Sequence, residues 1–349
     1  MSSPLMPFLS GRWRRPRQLV AAGLIAVFAA GCAASTGSST ASPSGADSGS
    51  SSSALPDPLE ASPGQDPATN SPDSAQTSPA IDFRAGKTRP EKVLVVIEEN
   101  KRQQTAIDQM PYLASLTRKY GYAKAYRAVT HPSLPNYLAI IGGSTFGVTT
   151  NGGPDRNPVK GPSLLDTAIA RGYTAKTYAE TMPSNCFIGP QDPYAVKHNP
   201  WAYFTDATSR ANCKKFDVPA GTPASGELRR DIDAGTLPTL GLLVPDLCHD
   251  GHDCSLKTAD DYLRSWLDRV IAGPDYRGGR LAIIVTFDED DGSADNTVLT
   301  AVISPRTKGV VSDEPFTHYS LARYLAQLIR TNPPGEAAAA PQLRSAFGI

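Results

Sequence analysis

An excess of charge of either sign is missing: the 349 residues hold 34 Lys and Arg against 34 Asp and Glu. A chain that is neutral overall has no bulk field to draw nucleic acid or an anionic membrane surface, so an ionic ligand must be met by a few local groups. Long hydrophobic runs are missing too. The apolar stretch over residues 19–30 is shorter than the roughly 20 residues a bilayer-spanning helix requires, which excludes a permanent span there. Over residues 33–80 aromatic and branched apolar side chains almost vanish, and Ser, Ala, Pro, Gly and Asp replace them. Such a segment has nothing to bury and cannot build a core. Cysteine is sparse, five in all.

What is present begins with an export signal. Arg12, Arg14, Arg15 and Arg17 precede the apolar run, which ends in Ala29-Ala30-Gly31 directly before Cys32. This ending resembles a bacterial lipobox. The resemblance implies that residues 1–31 are a lipoprotein signal peptide, cleaved before Cys32, with diacylglycerol on its thiol. The other reading is an ordinary secretory signal cut nearby. Residues 32–80 then read as the lipidated Cys and a flexible tether, and residues 81–349 as one globular catalytic domain. The expected location is the outer face of a bacterial cell membrane. The remaining cysteines, Cys186, Cys213, Cys248 and Cys254, are even in number, and export favours two disulfides. Proximity in sequence favours Cys186–Cys213 and Cys248–Cys254 among three formal pairings. Because Cys248 and Cys254 bracket His249 and His252, a zinc site is the alternative.

Within the domain, residues 93–97 form a continuous branched run of the kind buried on both faces of a parallel sheet. Residues 281–287 form a second. Shorter strands are expected at 174–178, 239–244 and 298–303. Helices are expected at 112–120, 134–141, 164–171, 226–234, 259–272 and 319–329. The alternation predicts an α/β fold, a mostly parallel central sheet with helices on both faces. No internal repeat is visible. In such sheets ligands bind beyond the carboxyl ends of the strands, and two strands here end in acids, Glu98-Glu99-Asn100 and Asp288-Glu289-Asp290-Asp291. That coincidence points to a metal site. Ser133 precedes a helix with Pro135 in its first turn, where backbone N–H groups suit an anionic phosphate. A hydroxyl needs a base or a metal to become a nucleophile. The bland reading of Ser133 is a helix cap.

Six segments carry a resemblance. They are Ile97-Glu98-Glu99-Asn100, Thr130 to Tyr137 with Gly142-Gly143, Lys197-His198-Asn199-Pro200-Trp201, Asp250 to Cys254, Thr286 to Asp290, and Thr317-His318-Tyr319-Ser320. Taken in order they resemble the phosphoesterase family of bacterial acid phosphatases and phospholipases C, of alkaline-phosphatase type. They are most similar to actinobacterial secreted acid phosphatases acting on phosphoinositides. The resemblance implies that Glu99, Asn100, Asp288 and Glu289 bind a divalent metal ion and that Ser133 is the nucleophile. It also implies that Asn136 and Asn100 contact phosphate, that His252 is a phosphate or metal contact and the candidate general acid, and that His198 and His318 lie near the site, either meeting substrate or held in a structural role behind it. His131 could reach the phosphate or brace its loop. His249 is expected to be exposed, and Asp250 and Asp253 are turn formers or additional ligands. Glu98 is left out, because neighbours at a strand end point opposite ways. The expected function is phosphomonoester hydrolysis through a phosphoserine, on a phosphorylated small molecule or lipid. The alternatives are a phospholipase C type diesterase and a non-catalytic phospho-ligand-binding lipoprotein.

Overall fold

The computed structural model describes residues 89–292 and 295–349. The expected signal peptide, Cys32 and tether lie outside these residues. Among the described residues no helix is long and apolar enough to cross a membrane.

Eight strands form one sheet: β1 (Lys92–Glu98), β2 (Gly121–Ala123), β3 (Ala175–Ala179), β4 (Asp217–Pro219), β5 (Leu240–Val244), β6 (Leu281–Phe287), β7 (Thr300–Ile303) and β8 (Val310–Ser312). Their order is β4-β3-β5-β1-β6-β7-β2-β8. All pairings are parallel except the two made by β7. The expected mostly parallel sheet is therefore present. The helices are α1 (Gln103–Gln109), α2 (Pro111–Lys119), α3 (Ser133–Gly142), α4 (Leu164–Ala170), α5 (Ala207–Phe216), α6 (Glu227–Ala234), α7 (Leu256–Ala272), α8 (Pro274–Arg277), α9 (His318–Leu328) and α10 (Leu343–Phe347).

The apolar runs occupy the centre. β5, β6 and β7 are buried at every position and β1 at all but Lys92, so both faces of the sheet must be covered. Two helix groups do this: α2 packs on α7 and α7 on α8, while α3 packs on α9 and α4. α7 starts three residues earlier than its apolar spacing suggests, because Ser255 Oγ caps it by accepting from Thr258 N at 3.2 Å. The strands β2, β4 and β8 and the helices α1, α5, α8 and α10 are additions that no run of apolar residues announced. Each strand has only three residues, and α5 buries only Ser209 and Cys213.

Candidate active site

Parallel pairing brings the two acidic strand ends together. Glu98 of β1 sits opposite Phe287 of β6, so the chain beyond them emerges side by side, carrying Glu99 and Asn100 from one strand and Asp288 and Glu289 from the other. The backbone closes this seam. Asp288 N donates to Glu98 O at 3.0 Å and Asn100 N donates to Asp288 Oδ1 at 3.1 Å. Asn100 reaches this position in the left-handed region, at φ 48°, which Asn tolerates better than most side chains. From beyond β5, Asp250 O accepts from Glu99 N at 2.8 Å.

Ser133 is the first residue of α3 and is 1% exposed. Its hydroxyl does not cap the helix. It donates to Glu99 Oε2 and to Glu289 Oε1, each at 3.2 Å. One end of the Asn100 amide lies 3.2 Å from Glu99 Oε2, 3.3 Å from Asp288 Oδ1 and 3.1 Å from Glu289 Oε1. With nitrogen there, the amide donates to all three carboxylates. With oxygen there, it becomes the fourth member of an all-oxygen set suited to a hard divalent cation.

The electrostatics agree with that second state. Burial, then the charges of Glu99 and Glu289, push the Asp288 carboxyl well above its ordinary range, and its Oδ2 has no hydrogen-bond partner among the described residues. Burial also raises Glu289, although His131 opposes it. Burial works against the Glu99 carboxylate as well, but His198 with Tyr137 and Lys197 outweighs it and holds Glu99 below its usual range. Three carboxylates converging in a buried space have a large mutual repulsion, which a cation would offset. The residues present therefore fit a divalent ion held by Glu99, Asn100, Asp288 and Glu289. Glu98 points away from this cluster: it is fully buried, its oxygens have no hydrogen-bond partner among the described residues, and burial first, then the neighbouring acids, raises its carboxyl strongly.

Several residues expected to meet substrate are placed otherwise. Asn136 is fully buried and spends its amide inside the loop, with Oδ1 accepting from Val129 N and Thr130 N and Nδ2 donating to Thr130 O and Pro132 O. It braces the nucleophile loop and has no free group for phosphate. His318 is also fully buried. Its Nε2 donates to Asp288 O at 2.6 Å, its Nδ1 accepts from Tyr126 OH at 3.1 Å, and burial holds the imidazole neutral with a pKa of about 4. It pins the chain at Asp288 and does not face substrate. His198 lies between two acids, Nε2 3.2 Å from Glu99 Oε1 and Nδ1 3.1 Å from Asp250 Oδ2, without in-line hydrogen-bond geometry to either. Burial opposes its charge, yet Glu99 and Asp250 raise it to about 9. It is a counterion for Glu99.

His252 lies on the rim, with Nδ1 2.6 Å from Asp253 Oδ1 and Nε2 3.1 Å from Lys197 Nζ. Both nitrogens are occupied, which does not suit the expected general acid. His249, expected to be exposed, is only partly so: its Nδ1 lies 3.0 Å from Glu180 Oε1 and its ring stacks on Tyr262. The free N–H groups expected at the start of α3 are reduced, since Leu134 N donates to Asn151 Oδ1 at 3.0 Å.

Sequence reasoning missed Tyr137 and Lys197 as separate actors, although both lie inside the quoted segments. Tyr137 OH donates to Glu99 Oε1 at 2.5 Å, and its ring stacks on His198. The helical position four residues after Ser133 was the available signal, since i and i+4 share a helix face. Cys186 is bonded to Cys213 and Cys248 to Cys254, which removes the zinc alternative, because the sulfurs that would ligate are joined to each other. The second pair closes the loop that holds Asp250, His252 and Asp253.

Residues 100–330 match the model of the Phosphoesterase family. The Phosphatidylinositol-3-phosphatase of Mycobacterium tuberculosis is 30% identical over 266 residues, 73% of this chain and 82% of that protein. The Probable acid phosphatase of Kluyveromyces lactis is 29% identical over 215 residues, 56% of this chain and 48% of that protein. The chain thus spans about half the length of the yeast relative. A crystal structure of a protein in the alkaline phosphatase superfamily from Vibrio parahaemolyticus aligns with 75% of this chain and 72% of its own, at 13% identity and a TM-score of 0.48. With the family model matched over most of the domain that carries Ser133 and the converging acids, the chain belongs to the phosphoesterase family, enzymes that hydrolyse phosphate esters.

Proposed function

We propose that this protein hydrolyses phosphomonoesters through a phosphoserine at Ser133, beside a divalent cation held by Glu99, Asn100, Asp288 and Glu289. The observation that carries this reading is the direction of the Ser133 hydroxyl. Pro132, not Ser133, holds the cap position, and the Ser133 hydroxyl meets two carboxylates, 3.2 Å from each. When bound, the cation supplies the positive charge that lets the hydroxyl ionise and offsets the charge gathering on phosphate. Glu99 Oε2 and Glu289 Oε1, which the hydroxyl already meets, are the groups placed to accept the Ser133 proton. The Ser133 oxygen attacks phosphorus, the bond to the leaving oxygen breaks and that oxygen takes a proton from solvent, and water later attacks the phosphoserine, breaking the Ser133 O–P bond, releasing phosphate and returning a proton to the Ser133 oxygen.

The substrate class we propose includes phosphoinositide headgroups, supported by the similarity to the mycobacterial phosphatase. Export and lipid anchoring through Cys32 belong to the same reading and are supported by the Arg-rich, small-residue-terminated signal. Cells expressing Cys32→Ser are expected to release the protein into the medium, and retention on the membrane fraction would refute the anchor.

The deciding experiment exposes the protein briefly to a labelled monoester and quenches in acid. The parent is expected to retain label on serine, and Ser133→Ala none. Substantial turnover by Ser133→Ala would overturn the covalent mechanism. Parallel assays on a chromogenic monoester and its matching diester, with and without chelator, test monoester preference and cation dependence.

A further inference from the structure

The converging carboxylates explain how a nucleophile could be activated, but they would repel a phosphate dianion. Beside the proposed cation, a positive protein group facing the phosphoryl oxygens would offset that repulsion, and the histidines expected to do this are turned inward or paired. Lys197 remains. It precedes His198 and is partly buried, and among the described residues its one hydrogen-bond partner is His252 Nε2 at 3.1 Å. No carboxylate among them forms an ion pair with it. An ammonium has three N–H donors, so two stay open to a ligand.

Its position follows from its neighbours. The His252 and His198 rings lie 6.0 Å apart between centroids, and His198 Nε2 is 3.2 Å from Glu99 Oε1. Glu99 in turn receives the Ser133 hydroxyl through its other oxygen. Lys197 therefore sits at the edge of the nucleophile's own cluster, close enough for its charge to stabilise the Glu99 carboxylate. A half-buried cation with open donors and no carboxylate in ion-pair contact among the described residues is poised for an anion.

The partners of His252 fix its role. Asp253 Oδ1 can only accept, so Nδ1 carries the hydrogen across the 2.6 Å contact. The Nε2 lone pair then accepts from the Lys197 ammonium. In this arrangement Nε2 has no proton to give to a leaving group. The loop beneath is held by the Cys248–Cys254 disulfide and by His252 N donating to Asp250 Oδ1 at 2.7 Å.

We infer that Lys197 binds the nonbridging oxygens of a dianionic phosphate monoester and that His252, oriented by Asp253, is its positioning residue. This rests on the reading that the site hydrolyses phosphate esters. A monoester carries a second negative charge that a diester lacks, so Lys197 is also a source of monoester preference.

The test uses the full-length protein with a fixed divalent-cation concentration and inorganic phosphate as the calorimetric probe. Lys197→Met, which keeps the apolar stem, is expected to weaken phosphate binding about tenfold or more and to raise KM for p-nitrophenyl phosphate in parallel. Cleavage of bis(p-nitrophenyl) phosphate should change far less. Lys197→Arg should retain most of the phosphate affinity. His252→Gln should weaken phosphate binding as Lys197→Met does, and the double variant should be no worse than either single one.

Phosphate affinity within about twofold of the parent in an active Lys197→Met overturns the inference. If His252→Gln slows phenyl phosphate much more than p-nitrophenyl phosphate, the proton matters to the poorer leaving group, and the positioning role is overturned. A parent that neither binds phosphate nor cleaves the monoester overturns the underlying reading together with this one.

Discussion

Replacing Asp217 by Asn is expected to remove a loss of stability that grows as pH rises toward neutrality. Asp217 opens β4 and is fully buried; its Oδ2 accepts from Asn199 Nδ2 at 2.8 Å, and its Oδ1 has no hydrogen-bond partner among the described residues. Burial pushes its carboxyl up to about 7, with Asn199 and Arg210 pulling it back only in part. At pH below the unfolded value of 3.8 the group is protonated in both states and costs nothing. As pH rises, the unfolded chain releases its proton while the folded chain keeps it, and stability falls until the folded group also ionises near 7. A gap of about three units at about 1.4 kcal/mol each amounts to about 4 kcal/mol.

Asn at 217 is neutral throughout and keeps an acceptor for Asn199. The assay is urea unfolding of parent and variant between pH 4 and 8, taken as a difference at each pH. The difference cancels groups that titrate in the other sense, such as His318, whose depressed pKa loses stability on acidification. The variant should gain on the parent by about 1.4 kcal/mol per pH unit up to about 7 and level off beyond. A difference that stays flat within about 0.5 kcal/mol would refute the reasoning. Asn199 adjoins His198, so the same melt reports on the segment that carries Lys197 and His198.

Asp288→Asn removes one charge from the proposed cation set, so cation affinity should drop about 10- to 100-fold and excess cation should restore part of the activity; loss of turnover with unchanged affinity would count against the ligand role. Cys248→Ser with Cys254→Ser opens a loop of sequence separation 6, with an expected cost of about 2 kcal/mol. The larger effect should be on KM for the monoester, because that loop holds His252 and Asp250. Free thiols at these positions in the folded parent, titrated under non-reducing conditions, would contradict the pairing.

The central half of the fold was legible because burial leaves a mark on sequence. β1 is apolar from Val93 to Ile97 and β6 at every position but Thr286, and the acids at their ends stand where parallel strands present ligands. β2, with Gly121-Tyr122-Ala123, and β8, with Val311 half exposed, carry neither a run nor an alternation. They pair because β7 and each other supply edges. Site chemistry was legible in kind and less so in direction. Ser133, Glu99, Asn100, Asp288 and Glu289 do converge, but nothing in the segment around Asn136 shows that its amide is used up within its own loop. For Lys197 the informative fact is that, among the described residues, no carboxylate forms an ion pair with it and its one hydrogen-bond partner is His252, which only the folded arrangement contains.

A common design underlies those reversals. Two of the converging carboxylates turn one oxygen to the shared cluster and the other to a protein donor: Glu99 Oε1 to Tyr137 OH at 2.5 Å, and Glu289 Oε2 to His131 Nδ1 at 2.6 Å. Asp288 is held from behind, through its carbonyl, by His318 Nε2 at 2.6 Å. Side chains that repel one another keep a fixed geometry only if such outer contacts pin them. The buried histidines near the acids are therefore consumed as pins and counterions, and each one so used is lost to substrate. A site built in this way must bring any phosphate-facing side-chain cation from outside the pinned set, and Lys197, held at the rim by the disulfide-closed loop through His252, is the residue the fold leaves open for it.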